Sequence, residues 1–436
     1  MRDKDLFQLA LGLASPWYVS ATKFDGAGKR LDIGIDFKVG ARFACPDCKA
    51  VDCPVHDTTE KTWRLGSELP RDHLDFFQHQ AFLTARVPRV TCGTCGVRLV
   101  TVPWARPNSG FSEASFLATT LLFEAFAMML VTHMPVAAAA ALLGETDKRI
   151  WRILLHYVAA AVNRMDLSRV CRLAIDETAA RRGHDDITLA VDIDARRVIF
   201  VGPGRDAAAI EALADHIEAR GGDASHIKQV SIDMVARKLA SESPAYIKGV
   251  TDNLTEAEIT FDRFHVMKLL GDAVDEVRRA EVKQRSELKG TRYAWTKNAA
   301  NLTAGQSRVL AALSSTNLKT ARAWRMRLAF QDIYARYDRD FAEQLLERWV
   351  GWAKRSRLEP MKAVARTIER HWNGILGSEL PRDLAFFDSR ISNGIVEGIN
   401  SLVQAAKARA RGYRSIVTLT AMTYLIAGKL DLQLPT

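Results

Sequence analysis

CRLAIDE (171–177), ITLAVDID (187–194), RRVIFVG (196–202), KQVSID (228–233) and EITFD (258–262) decide how this 436-residue chain folds. Each is a short run rich in β-branched and apolar residues, the signature of a strand. Helical periodicity is predicted between them, at 206–220 and around 235–248. Three strands, a helix and a fourth strand in that order predict an α/β unit in which the first and fourth strands lie side by side. Downstream, from His265 to about Leu380, there is hardly a strand signal, and Leu, Ala, Arg, Glu and Trp recur at helical spacing. A last amphipathic helix is predicted from about Ser392 to Arg409, stopping at Gly412.

Upstream lie other modules. Residues 1–108 hold strand-like runs such as LDIGIDF (31–37) and AFLTARVPRVT (81–91), and all but one of the six cysteines. Cys45-Pro-Asp-Cys48 and Cys92-Gly-Thr-Cys95 form two C-x-x-C knuckles. One such turn offers two thiolates to a zinc ion, and two complete a tetrahedron. Gly93 and Gly96 suit positive-φ positions in such a turn. A rival set, Cys45, Cys48, Cys53 and His56, is closer in sequence but leaves Cys92 and Cys95 unused. Either set closes the coordination, so one structural Zn²⁺ is expected, building a DNA-binding ribbon. ARPNSG (105–110) reads as a linker, and MPVAAAAALLGETDKRIWRILLHYV (134–158) has the cadence of a helix-turn-helix. Its second helix would carry Lys148, Arg149 and Arg152 to DNA, although a plain helical hairpin has the same pattern.

Composition limits the function classes. Apolar residues at 48% and charged residues at 26% exclude a disordered chain. The apolar stretch from Ser115 to Gly144 is broken by Glu124, His133 and Pro135, so no bilayer span is expected. Residues 1–14 alternate charge with short apolar pieces and suggest no export signal, which makes a cytoplasmic location the expectation. The net charge of +10 suits a polyanionic partner, double-stranded DNA above all.

Asp176 ends the first strand of the α/β region and Asp233 the fourth, so side-by-side strands would bring their carboxylates together. This is the ribonuclease-H-like arrangement, whose chemistry is phosphodiester hydrolysis with two divalent ions, Mg²⁺ or Mn²⁺, on carboxylate oxygens. A late helix must supply a third carboxylate, and Glu397 in NGIVEGIN is placed to do so, with Gly394 and Gly398 leaving room. Glu177, Asp192, Asp194 and Asp262 compete for these roles. Asp194 fits a turn with Ala195, and Asp262 opens Asp262-Arg-Phe-His265. A basic run, Lys407, Arg409, Arg411 and Arg414, follows the Glu397 helix and would clamp phosphates.

The paired C-x-x-C with VPRVTC (87–92), AIDETAARRGH (174–184), VSIDM (230–234), FDRFHVMKLLGDAVDEVRR (261–279) and NGIVEGIN…ARGYRS (393–415) resemble, in order, the ISL-three family of bacterial insertion-sequence transposases. The resemblance implies that Asp176, Asp233 and Glu397 are the acidic triad and that Asp262 and His265 are an accessory pair beside it. It also implies that the helical stretch before Glu397 is an insertion, and that the working form is a homodimer assembled on DNA. The family more often has Gly where this chain has Lys49 after the first knuckle. The expected organisation is a zinc ribbon (1–108), a helix-turn-helix (109–168) and a ribonuclease-H-like core in two parts (169–280 and 391–436) around a helical insertion (281–390). Such a protein would bind the terminal inverted repeats of a mobile element, cleave there and transfer the strand. A catalytically silent DNA-binding regulator and a nuclease that cuts without joining remain the alternatives.

Overall fold

LDIGIDF alternates apolar and polar side chains, and in the computed structural model it lies in strand β2 (Arg30–Phe37) with Leu31, Ile33 and Ile35 buried. The structure describes residues 3–64, 80–106, 117–180, 186–232, 243–261, 263–334, 339–372 and 394–435. They divide into two units, one of residues 1–161 with 409–411 and 431–436, the other of residues 162–408 and 412–430.

The first unit opens with helix α1 (Asp3–Ala10) and strand β1 (Trp17–Asp25). After β2 come β3 (Arg42–Phe43), β4 (Cys53–Arg64), β5 (Gln80–Cys92), β6 (Gly96–Leu99) and β7 (Leu117–Thr119). They make one sheet in the order β1-β2-β5-β4-β3, with β6 on β5 and β7 on β4. Its core centres on three tryptophans. Trp104 meets Trp17 and Trp63 edge to face at 5.0 and 5.5 Å.

Three helices follow: α2 (Leu121–His133), α3 (Val136–Leu143) and α4 (Asp147–Asn163). The Thr120 side chain caps α2, and α3 ends on Gly144 at φ 64°, where a side chain would be strained. Glu124, which interrupts the apolar stretch in sequence, is wholly buried. It pairs with Arg106 at 3.0 Å and accepts a hydrogen bond from the Tyr157 hydroxyl of α4 at 3.1 Å. One buried carboxylate therefore ties the entering chain to two helices.

In the second unit, β8 (Arg172–Ala179), β9 (Asp186–Asp192), β10 (Arg197–Pro203), β11 (Gln229–Ile232) and β12 (Glu258–Phe261) form a sheet in the order β10-β9-β8-β11-β12. The first three are antiparallel, whereas β11 runs parallel to both β8 and β12. The first and fourth strands are thus neighbours, as their order in sequence predicts, in the register Ser231↔Ala174. Helices α5 (Ala207–Glu218) and α6 (Ser243–Asn253) are the crossover elements. The predicted second helix was placed earlier, at 235–248, and its residues before 243 lie outside the described residues.

Beyond β12 every described element is helical: α7 (Arg263–Glu281), α8 (Arg292–Thr296), α9 (Ala304–Ser314), α10 (Lys319–Ile333), α11 (Arg339–Arg355) and α12 (Glu359–Arg370). Tertiary contacts fix their ends. The Glu281 carboxylate closing α7 accepts the Lys319 and Thr320 backbone N–H groups at 2.8 and 2.7 Å, so one helix caps another. Helix α13 (Gly394–Arg409) then returns to the sheet and stops where Gly412 takes φ 94°. A further helix, α14 (Ile416–Ala427), was not foreseen. It buries Leu419, Met422 and Tyr424, and the Tyr424 hydroxyl accepts from Val201 N of β10 at 3.2 Å. No described helix is long and apolar enough to cross a membrane.

Candidate active site and metal centre

The two C-x-x-C knuckles converge. One sulfur from each of Cys45, Cys48, Cys92 and Cys95 lies within 4.8 Å of the other three. Sulfurs about 2.3 Å from a tetrahedral zinc would stand roughly 3.8 Å apart, so this set fits the ion. Backbone N–H groups of Cys95 and Thr94 aim at the Cys92 sulfur and hold its thiol down to about 6, favouring the thiolate. The neighbouring thiols Cys48 and Cys45, together with burial, push Cys95 up to about 12, since four sulfurs cannot all ionise without a cation between them. His56 is not in the cluster; it is exposed on β4, and the Cys53 thiol donates to the Ala50 carbonyl at 3.5 Å. The set that gathers is therefore the paired-knuckle one, consistent with a structural zinc.

The turn geometry differs from expectation at one residue. The positive-φ position follows the second cysteine of each knuckle, Gly96 at 74° and Lys49 at 61°. Gly93 is not among the positive-φ residues. The departure from family pattern at Lys49 is thus a lysine in a glycine conformation, not a sign of different ligands.

In the helix-turn-helix segment, Lys148 and Arg152 are exposed on α4. Arg149 is not. Only 6% exposed, it is held at 2.8 Å by the carboxylate of Glu145 in the loop before α4, so the structure gives it an internal ion pair in place of the expected contact with DNA.

In the second unit, Asp176 is half-buried on β8, three residues before the strand ends. One carboxylate oxygen accepts the Glu177 backbone N–H at 2.7 Å, and the other accepts the Asn400 amide of α13. Two further contacts run down the same helix. Gln404 Nε2 donates to Thr178 Oγ1 at 2.7 Å, and Lys407 Nζ donates to the Ala179 carbonyl. Positions 400, 404 and 407 recur at helical spacing, so one face of α13 lies along the end of β8. Glu397 is one turn before Asn400 on that face and is half-buried. Asn400 Oδ1 is buried with no hydrogen-bond partner among the described residues. Asp176 and Glu397 are half-buried carboxylates, the hard oxygen donors that Mg²⁺ or Mn²⁺ prefers, so their chemistry fits such an ion.

Two of the rival carboxylates have other work. Asp192 accepts the Asp194 and Ala195 backbone N–H groups at 3.0 and 3.1 Å, forming the β9–β10 turn. Asp194 pairs with Arg172, which holds its carboxyl below the usual range. Asp233 and Asp262 lie outside the described residues. His265 is half-buried in the first turn of α7. Of the basic run, Lys407 is drawn onto β8 and burial lowers its pKa, while Arg409, Arg411 and Arg414 are exposed.

Two side chains that touch the site escaped sequence reading. Asn400 and Gln404 follow Glu397 by three and seven residues, a helical spacing that NGIVEGINSLVQ displays but whose polar amides read as solvated surface.

Comparison with known proteins agrees with this architecture. Residues 173–423, more than half the chain, match the family model described as "Transposase" within family ISL3. Residues 100–158 match the "Helix-turn-helix domain of transposase family ISL3". The chain belongs to the ISL3 family of transposases. It is 28% identical to the transposase for insertion sequence element IS1557 of Mycobacterium tuberculosis, over 98% of this chain and 96% of that protein. It is 27% identical to the transposase for insertion sequence element IS1001 of Bordetella parapertussis, over 85% of each.

Proposed function

We propose that this protein binds the terminal inverted repeats of an insertion sequence, cleaves a DNA strand at each end and transfers it to target DNA. The observation that carries the reading is the seating of α13 on β8. It joins the helix of Glu397 to the strand of Asp176 through Asn400, Gln404 and Lys407. The third carboxylate of the proposed triad is Asp233. In sequence it follows Ser231 by two residues as Asp176 follows Ala174, and Ser231 and Ala174 are paired on neighbouring parallel strands. The strand order and the run of helices described between β12 and α13 support a ribonuclease-H-like core with a helical insertion.

In this reading Asp176, Asp233 and Glu397 hold two Mg²⁺ or Mn²⁺ ions. Bound there, the ions would lower the pKa of the attacking oxygen and offset charge on the phosphate. The protein's own groups do the positioning. Asn400 fixes the Asp176 carboxylate, and the exposed Arg409, Arg411 and Arg414 hold flanking phosphates. Asp262 and His265 are proposed as accessory residues, His265 orienting a phosphate or its neighbour. Addition of water across a P–O3′ bond frees a 3′-hydroxyl, which then attacks a target phosphodiester in line and displaces its 3′-oxygen. The zinc-held ribbon and α4, through Lys148 and Arg152, would read the repeat. Two ends need two active sites, so the working form is a homodimer on DNA.

Glu397→Gln tests the assignment. On donor DNA carrying the element's ends, with Mg²⁺, the variant should bind as the native protein does and give no nicked or joined product. Cleavage at the native rate would remove Glu397 from the triad. Cleavage by the native protein without joining would make it a nuclease, and binding alone a regulator.

A further inference from the structure

A cavity of about 560 Å³ opens beside Glu397, walled by α7, α8, α10 and the start of α13. Five cations line it: Arg263, Lys268, Arg292, Lys297 and Arg327, against two carboxylates, Asp272 and Glu397. Arg327 is the unusual member. It is 5% exposed, its Nη2 donates to Asn298 Oδ1 at 3.3 Å, and its Nε has no partner among the described residues. No carboxylate pairs with it among those residues either. A buried guanidinium left without a counter-charge is costly, and burial works against its charged form. By contrast, the equally buried Arg149 and the half-buried Arg106 each have a glutamate. Arg327 lines the cavity, and an anion bound there would supply the counter-charge it lacks.

We propose that this cavity binds the phosphodiester of a single unpaired nucleotide, drawn from the DNA strand that is cut next to Glu397. Arg327 supplies a planar fork of donors at the cavity wall, which matches a phosphate oxygen pair, and Lys268 and Lys297 add charge nearer its mouth. The volume suits one nucleotide and excludes a duplex. The helices before α13 therefore carry a substrate site of their own and are more than a spacer between β12 and Glu397. The nucleotide's place next to a cut rests on the catalytic reading of Glu397; the pocket itself does not.

The test compares a labelled blunt duplex with the same duplex carrying a short single-stranded thymidine tail, by fluorescence anisotropy on the full chain with Ca²⁺. The native protein should bind the tailed duplex about tenfold tighter, the worth of one charge-assisted contact. Arg327→Gln should lose that preference and bind blunt duplex as before. Because Arg327 is buried, thermal melting must accompany it. The double variant Lys268→Gln, Lys297→Gln, at an exposed and a half-exposed position, should lose the preference without touching the core. A native protein with no preference for the tail, or folded variants that keep it, would overturn the pocket. Inorganic phosphate that erases the preference as well as thymidine monophosphate does would make it a site for free phosphate and overturn the nucleotide. Glu397→Gln separates the two readings: cleavage retained there sinks the catalytic role alone, and a tail preference retained in the cation variants sinks the pocket alone.

Discussion

Lys49 holds a conformation that L-residues avoid, at the turn where the other knuckle places Gly96. A side chain there costs about 1–2 kcal/mol of backbone strain, and glycine returns part of that through the entropy of the unfolded chain. Lys49→Gly should therefore stabilise the amino-terminal unit by roughly 0.5–1 kcal/mol in thermal or urea unfolding of the metal-loaded protein. A loss of stability would mean that the Lys49 ammonium, which donates to the Pro46 carbonyl at 2.9 Å, matters more than the strain. Single residues were unequally legible in the sequence. Asp176 was one acidic candidate among several, singled out by the order of the strands and by the AIDE block, and it lies three residues inside the end of β8. Asn400 did not, because an amide on a helix has no signature until the strand it touches is known. Arg149 misled for the same reason, since only packing reveals that Glu145 takes its charge.

Among the elements, α2 shows how a polar residue within an apolar stretch can be structural. Glu124 of α2 is buried between Arg106 and Tyr157, and removing it would leave the Arg106 guanidinium without its carboxylate. Glu124→Ala should destabilise this unit by about 3–5 kcal/mol and weaken DNA binding through disorder of α4. Circular dichroism melts check the first effect, and a melt within about 1 kcal/mol of native would refute the clamp. Strand order in the second unit was legible because β8 to β12 are bounded runs of β-branched residues. Helix α14 was not. Its twelve residues, IVTLTAMTYLIA, have no polar face, so periodicity gives no signal for a helix packed on a sheet. Helix α13 was found because it has one.

At the scale of the molecule, the proposed division of labour sets a unit that gathers four cysteines apart from a unit that carries the proposed carboxylate site. The thiolate cluster includes both knuckles, which the spacing made plain; the choice between them and the Cys53–His56 alternative needed the fold. Cys92→Ser should lose the single bound zinc, measured by metal analysis of purified protein, whereas His56→Ala should keep it. Zinc retained in Cys92→Ser would restore the rival ligand set. The charge excess of +10 is expressed in exposed arginines after α13 and in the cations beside Glu397. No count of charges could have separated those two locations.

The carboxylate assignment is tested most directly by changing the donor atom at Asp176 rather than deleting it. Asp176→Cys presents a soft sulfur, which Mg²⁺ binds poorly and Mn²⁺ binds better. On DNA carrying the element's ends, the variant should give no strand cleavage in Mg²⁺ and regain part of it in Mn²⁺, with end binding unchanged in both. Native-level cleavage in Mg²⁺ would contradict the claim that Asp176 holds the metal at which this transposase cuts DNA.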